Sequence, residues 1–348
     1  MKISFSEAIN RALHEEMTRN KKLVCFGLGI NDSLKFFGTT KGLNEKFGSD
    51  RVFETPTSEN AMTGIGIGMS LNNNPCVMMH QRLDFFLLAM DQLVNTAAKW
   101  HYMFGGKKNV PITIRLVVGK GWGQGPTHSQ SLQSWFAHIP GLKIVMPALP
   151  SDAYNLLKKS IRDPNPVIFI EHRWLHNVEQ EAHKVKEAKN FNISNLISKG
   201  KDLTVVTYSL STIEMLSIKQ FLNKNKIFFD LINLHTIKPL NLSPIEKSLK
   251  KTKKLLILDS ISHPICSIGS EIISQLYRNK NVKLTKSPIL LTLPDIPTPT
   301  SIFYTKDFYV KKTDIVKKIN HLLGKNIKFN LEEKNPHDVP DLKFKGPF

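Results

Sequence analysis

Two side chains in this sequence stand where their chemistry is usable, and each also has a plain structural explanation. Glu59 follows Ser58 and opens an apolar stretch, Thr63-Gly64-Ile65-Gly66-Ile67-Gly68. A carboxylate there can accept a proton or hold a ligand nitrogen. Equally, Ser58 is a good N-cap, and a carboxylate in a first helical turn is favoured by the helix dipole. His128 lies in Gly125-Pro126-Thr127-His128-Ser129-Gln130, after the alternating glycines Gly119, Gly121, Gly123 and Gly125. A histidine on such a loop can carry a proton near neutral pH, and a solvated loop has the same sequence signature. Phe85, ahead of an apolar helix, is by default a core residue. Asp163-Pro164-Asn165-Pro166 is by default a turn that stops a helix.

The glycine pattern excludes one class of function. Gly64, Gly66 and Gly68 miss the GxGxxG fingerprint, because Met69 stands in the third glycine position, and the later glycines also miss it. No GxxxxGK[ST] is present. A nicotinamide or ATP site is therefore not expected. A bare helix face at Gly64 and Gly68 would let another backbone approach closely, a second subunit being one candidate. Cys25, Cys76 and Cys266 form no CxxC pair, which argues against a disulfide scaffold or a zinc site and suits a reducing cytoplasm.

These residues need elements to hold them. The 348-residue chain is long enough for two domains. Phe5–Asn20 has a helical period with Ala8, Ile9, Leu13 and Met17 on one face. Strand-like runs follow at Leu23–Phe26, Arg51–Glu54, Cys76–Met79, Ile112–Val118, Lys143–Met146 and Val167–Ile170, with helices over Leu87–Phe104 and Ser151–Arg162. The alternation predicts a mostly parallel sheet covered on both faces, an α/β fold. Beyond a charged, weakly periodic stretch, Glu179 to Lys189, and the run Asn190–Gly200 that follows it, a second block begins. Its strands are Leu203–Tyr208, Phe228–Ile232 and Leu255–Leu258; its helices are Ser211–Asn223, Pro244–Lys250, Ser267–Tyr277 and Thr313–Leu323. The expected division is residues 1–185, a linker at 186–200, a second domain at 201–325 and an extended tail at 326–348 with Pro336, Pro340 and Pro347.

The net charge of +19 invites a nucleic-acid reading, but the lysines are scattered and no nucleic-acid-binding motif accompanies them. Charge of this kind speaks to docking and solubility rather than fold. No apolar run is long enough to span a bilayer.

Taken in order, the motifs resemble a known family. Phe53-Glu54-Thr55-Pro56-Thr57-Ser58-Glu59, Met90-Asp91-Gln92-Leu93-Val94-Asn95-Thr96-Ala97-Ala98-Lys99, His128-Ser129-Gln130-Ser131, Pro140-Gly141-Leu142-Lys143-Ile144-Val145, Ile161-Arg162-Asp163-Pro164-Asn165-Pro166-Val167, Thr236-Ile237-Lys238-Pro239-Leu240 and Asp295-Ile296-Pro297-Thr298-Pro299 are similar to beta subunits of the thiamine-diphosphate-dependent first component of 2-oxo acid dehydrogenases, of pyruvate and branched-chain type. The resemblance runs over roughly residues 5–325. It implies a parallel-sheet pyrimidine-binding domain followed by a transketolase C-terminal-type α/β domain.

It also implies roles. Glu59 matches the glutamate that bonds the cofactor's aminopyrimidine and, through it, helps to remove the thiazolium proton. Phe85 matches an aromatic packed on that ring, and Gln81 is a further cofactor contact. His128 matches a histidine serving substrate and acyl transfer to a lipoyl group. Carbonyls near Ile112, Ser160, Ile161, Asp163 and Asn165 match a structural potassium site. The chain has no Gly-Asp-Gly triplet, so magnesium and the diphosphate fall to an alpha subunit. Implied partners are that alpha subunit, a second beta chain, a lipoyl-bearing acyltransferase and a 2-oxo acid, with neither membrane nor nucleic acid. Alternatives are a carboligase or decarboxylase with the same cofactor and no lipoyl partner, and a basic nucleic-acid-binding or scaffold protein. His80 and Arg82, unusual just ahead of Phe85, either face a more polar substrate or belong to a surface loop. The segment Asp259-Ser260-Ile261-Ser262-His263-Pro264-Ile265-Cys266 stands where relatives are rich in glycine.

Overall fold

The computed structural model describes residues 1–188, 194–278, 282–329 and 336–339. Fourteen strands occur among them: β1 (Lys2–Ser4), β2 (Val24–Gly27), β3 (Val52–Glu54), β4 (Cys76–His80), β5 (Ile112–Val118), β6 (Lys143–Val145), β7 (Val167–His172), β8 (Glu179–Glu181), β9 (Asn195–Ser198), β10 (Leu203–Thr207), β11 (Phe229–Asn233), β12 (Thr236–Lys238), β13 (Leu255–Asp259) and β14 (Ile289–Thr292).

Seven strands form the first sheet in the order β12-β6-β7-β5-β4-β2-β3. All its pairings are parallel except that of β12 with β6. β4, β5 and β7 are buried along their whole length, as expected of strands covered on both faces. The helix Phe5–Arg19 covers one side and packs on the helix Pro150–Ile161. It starts in a capping box: Ser4 Oγ accepts the Glu7 amide at 3.2 Å, and the Glu7 carboxylate accepts the Ser4 amide at 2.7 Å. Five strands form the second sheet, β14-β13-β10-β11-β9, parallel except for β9.

Three features depart from the periodic reading. The stretch Leu87–Phe104 is not one helix. It is a 3₁₀ turn at Leu87–Ala89, a π-helix at Gln92–Ala97 and an α-helix at Ala98–Met103. Gly141 approaches this segment so closely that a Cβ would lie 1.9 Å from the Ala98 carbonyl oxygen. The expected helix Ser211–Asn223 breaks at the fully buried Ile218 into Leu210–Ser217 and Lys219–Lys224. The third departure is β12, which follows the second-domain strand β11 in the chain yet completes the edge of the first sheet, so the Thr236–Pro239 motif ties the two halves together.

Within the expected linker 186–200, Asn195–Ser198 is strand β9 of the second sheet, while residues 189–193 lie outside the described residues. Of the expected tail 326–348, residues 330–335 and 340–348 lie outside them, and 336–339 form a turn packed on the first domain. No described helix is long and apolar enough to cross a membrane.

Candidate active site

Parallel sheets expose their site-bearing loops at the carboxyl ends of the strands. Glu59 follows β3, Gln81 and Phe85 follow β4, and His128 lies on the loop that follows β5. Ile112, at the start of β5, and Ser160, Ile161, Asp163 and Asn165, ahead of β7, occupy the opposite end of the sheet.

Glu59 is the first residue of the helix Glu59–Leu71 and only 5% exposed. Ser58 does not cap that helix with its side chain, so the capping explanation fails at this point. No described residue bonds or pairs with the Glu59 carboxylate; only its carbonyl oxygen is engaged, by Thr63 Oγ1 at 2.8 Å. A nearly buried carboxylate free of protein partners is suited to a donor nitrogen brought by another molecule. Along the same helix the glycine of consequence is Gly66: a Cβ would meet Phe26 Cζ and Ile112 Cδ1 at 2.9 Å, so it seats the helix on the sheet. Gly68 has open space beside it, and Gly64 meets only the Gln92 side chain at ordinary distance.

The rim beside β2 and β4 is held by carboxylates. Glu54 accepts the amides of Gly29 at 2.5 Å and Asn31 at 3.0 Å. Asp32 accepts the Gln81 side-chain amide at 3.1 Å. Gly29 lies so close to Gln81 that a Cβ would fall 2.1 Å from Nε2, which explains a glycine with φ +79° there.

Phe85 and His128 meet. The Phe85 ring is 43% exposed and lies edge-on to the His128 ring, with centroids 5.2 Å apart. Phe85 is thus not the core residue its context suggests; the neighbouring Phe86 is fully buried instead. His128 Nδ1 is 3.0 Å from Thr127 Oγ1. Asp84 anchors the loop two residues beyond His128, accepting the Gln130 backbone amide at 3.2 Å and its side-chain amide at 2.9 Å. Burial raises the Asp84 carboxyl from its ordinary range against those bonds.

His80 and Arg82 are buried, so the surface-loop alternative for them is corrected. Both His80 ring nitrogens lack partners, and burial pushes its pKa down to about 3, which keeps the imidazole neutral. Arg82 has an unpartnered Nη1 and has Asp84 as its nearby counter-charge.

At the opposite end of the sheet, Asp163 Oδ2 takes the Lys143 ammonium at 2.5 Å, and the Asn165 amide donates to Asp163 Oδ1 at 2.9 Å. Asn165 Oδ1 is buried without a partner. At the end of the helix Pro150–Ile161, the Ser160 carbonyl accepts the Asp163 amide at 3.2 Å. No group of three or more His, Cys, Asp or Glu side chains suited to a metal exists among the described residues.

Sequence reasoning missed the supporting partners. Glu54, Asp32 and Asp84 act on amides 25, 49 and 46 residues away, separations with no local signature. Lys120 and Glu214, paired at 2.8 Å across 94 residues, were equally hidden.

This arrangement, an acidic helix start and an aromatic–histidine pair over a parallel sheet with a second α/β domain behind, is that of the transketolase class. The family model for the transketolase pyrimidine-binding domain matches residues 1–178, and that for the transketolase C-terminal domain matches 194–315. The beta subunit of acetoin:2,6-dichlorophenolindophenol oxidoreductase from Cupriavidus necator is 36% identical over 310 residues, covering 86% of this chain and 91% of that one. The mitochondrial pyruvate dehydrogenase E1 component subunit beta of Saccharomyces cerevisiae is 33% identical over 327 residues, covering 91% and 88%. A solved chain titled split gene transketolase, inactive beta4 tetramer, shares the fold with a TM-score of 0.73 at 17% identity, covering 92% of this chain and 98% of its own. The chain belongs to the family of 2-oxo acid dehydrogenase E1 beta subunits, as the motif order implied.

Proposed function

We propose that this chain is the beta half of a thiamine-diphosphate-dependent 2-oxo acid dehydrogenase and supplies the pyrimidine side of an active site that an alpha chain completes. The observation that carries the reading is the Glu59 carboxylate, nearly buried at a helix start and without a protein partner. When bound, thiamine diphosphate supplies the electron sink for decarboxylation. In this chain Glu59 would hold the aminopyrimidine nitrogen, Phe85 would pack on its ring, and Gln81, fixed by Asp32, would line the pocket beside them. His128 would exchange a proton with the acyl group's acceptor, its ring orientation limited by Phe85 and Thr127. Magnesium and the diphosphate belong to the alpha chain in this reading, since the sequence carries no Gly-Asp-Gly triplet.

The remaining assignments belong to the same proposal. They are a 2-oxo acid substrate, a lipoyl-bearing acyltransferase as acceptor, a pair of beta chains in the assembly, a cytoplasmic setting consistent with three free cysteines, and the domain limits 1–185 and 201–325. A structural potassium at Ile112, Ser160, Ile161, Asp163 and Asn165 is supported by the orphaned Asn165 Oδ1. Lys143 already neutralises Asp163, so such an ion would rest on carbonyl oxygens.

A second substrate reading rests on the Cupriavidus relative, whose name specifies acetoin. Product analysis of the reconstituted alpha–beta complex, with acetoin and with 2-oxo acids, separates the two. The test of the site is Glu59→Gln in that complex: assembly is retained, and turnover falls by about 10²-fold or more. Wild-type rates in this variant would refute the assignment.

A further inference from the structure

The alternating glycines ahead of His128 miss every nucleotide fingerprint, and the structure gives them another purpose. Gly121, Gly123 and Gly125 have φ of +88°, +66° and +66°, and each turns its bare Cα toward the second domain or the segment beyond it. A Cβ on Gly121 would lie 1.8 Å from the Asp338 carbonyl oxygen. One on Gly123 would lie 3.4 Å from the Thr300 carbonyl oxygen, and one on Gly125 would lie 2.4 Å from Thr300 Oγ1.

Directed bonds cross at the same place. The Gly121 amide donates to the Tyr309 hydroxyl at 3.0 Å, and the Trp122 amide donates to the Asp338 carbonyl at 3.2 Å. Lys120, itself buried, pairs with Glu214 at 2.8 Å and lies over the Trp174 and Tyr309 rings at 4.9 and 5.3 Å. Glu214 is in turn fixed by the Ser260 hydroxyl. Beyond His128 the grip recurs: Gln133 donates to Tyr208 Oη at 2.9 Å and to Ser262 Oγ. The loop is thus held on both flanks of His128 by one surface.

From this geometry we infer that the second domain and the turn at 336–339 position the His128 loop, with Tyr309 and Glu214 as positioning residues for proton exchange at His128. The inference deepens the proposed function and rests on its reading of His128. It gives the second domain of this chain a role in acyl transfer without touching substrate. It also gives Ser260 and Ser262 a purpose, because those hydroxyls hold Glu214 and Gln133.

The test uses Tyr309→Phe and Glu214→Gln in the assembled alpha–beta complex. Two half-reactions are measured: decarboxylation with dichlorophenolindophenol as acceptor, and acylation of a lipoyl domain. Hydrogen exchange is followed at residues 119–125. In Tyr309→Phe, exchange at the Gly121 and Trp122 amides rises by about 10-fold while β5 stays protected. In both variants lipoyl acylation falls by about 10- to 100-fold, as expected for a misplaced proton carrier, and dye-coupled decarboxylation stays within about 2-fold of wild type. Unchanged loop exchange together with unchanged acylation would overturn the inference, as would equal loss of both half-reactions. His128→Ala is the control. If it acylates the lipoyl domain normally, the role given to His128 fails, and the exchange data still decide whether the second domain holds the loop.

Discussion

Replacing Glu171 by Gln tests the most demanding piece of electrostatics beneath the site. Arg115 on β5 and Glu171 on β7 are both fully buried, with Nη2 2.7 Å and Nε 2.8 Å from the same carboxylate oxygen. The guanidinium also donates to Thr39 Oγ1 at 3.0 Å and lies 4.8 Å over the Phe36 ring. The other carboxylate oxygen takes His176 Nε2 at 2.9 Å. Arg173 Nη1 donates to His176 Nδ1 at 2.9 Å, so Nδ1 is an acceptor and the ring proton sits on Nε2. Glutamine keeps the shape but leaves Arg115 without its counter-charge. Breaking one side of a buried pair costs about 3–5 kcal/mol, compared with about 0–1 for an exposed one. At about 2–4 °C per kcal/mol for a domain of this size, the first-domain transition drops by about 6–20 °C. Calorimetry measures it, with hydrogen exchange on β5 and β7 to locate the loss.

The pH dependence has a sign. Burial alone would raise the Glu171 carboxyl, but Arg115 and His176 outweigh it and hold it below its ordinary 4.5. Burial lowers His176 below 6.5. Both contributions are complete above those ordinary values and are lost as pH falls, first for His176 and then for Glu171. Glu171→Gln removes the carboxylate part of that acid sensitivity. The double change Arg115→Met with Glu171→Leu recovers much of the stability, leaving mainly the unpaired His176 donor at about 1–3 kcal/mol. A loss below about 1 kcal/mol in the single variant would refute the argument, because it would mean that the pair behaves as if exposed.

Asp259 runs in the opposite direction: burial pushes its carboxyl up to about 6, so the stability it favours is present below 3.8 and lost as pH rises through about 6. Asp259→Asn should flatten that part of the stability profile, and an unchanged slope between these values would count against it. Thiol labelling of the native chain should modify Cys266 alone, since Cys25 and Cys76 are buried with pKa values pushed to about 12. Reaction of all three before unfolding would contradict the packing. His80→Phe should leave the melting temperature unchanged or slightly higher, because the ring already packs edge-on to Phe86 at 4.9 Å with both nitrogens unpartnered. A fall of several degrees would show that the nitrogens are bonded in solution.

Strand positions were legible because both sheets are mostly parallel and their central strands are buried. Runs such as Ile112–Val118, β-branched and apolar but for Arg115, and the wholly apolar Val167–Ile170 read as strands, and they became β5 and β7, the latter two residues longer. The helix Phe5–Arg19 was legible from its apolar face, while its Ser4–Glu7 capping box is a finding of the structure. What periodicity misread were places where tertiary contact overrides it. The π-turn at Gln92–Ala97 keeps a helical pattern of side chains, so no sequence period separates it from an α-helix. β12 is three residues long, too short for a pattern, and its membership in the first sheet is a matter of topology. β9 is four residues long and pairs antiparallel at an edge, where alternation is weakest.

The candidate site divides along the same line. Glu59, Phe85 and His128 were legible only as an ordered set, because each alone fits a cap, a core position or a solvated loop. The structure weakens two of those ordinary explanations: Ser58 does not cap, and Phe85 is half exposed while Phe86 fills the core. The alternating glycines show how function of this kind stays hidden. Read locally they resembled a failed nucleotide loop, but their spacing fits the approach of Thr300, Tyr309 and Asp338, residues more than 170 positions away. A two-residue glycine period with positive φ, placed before a histidine, thus reads as a backbone surface shaped for a neighbouring domain. On that reading the second domain acts through the loop it holds, placing a proton carrier without itself touching substrate.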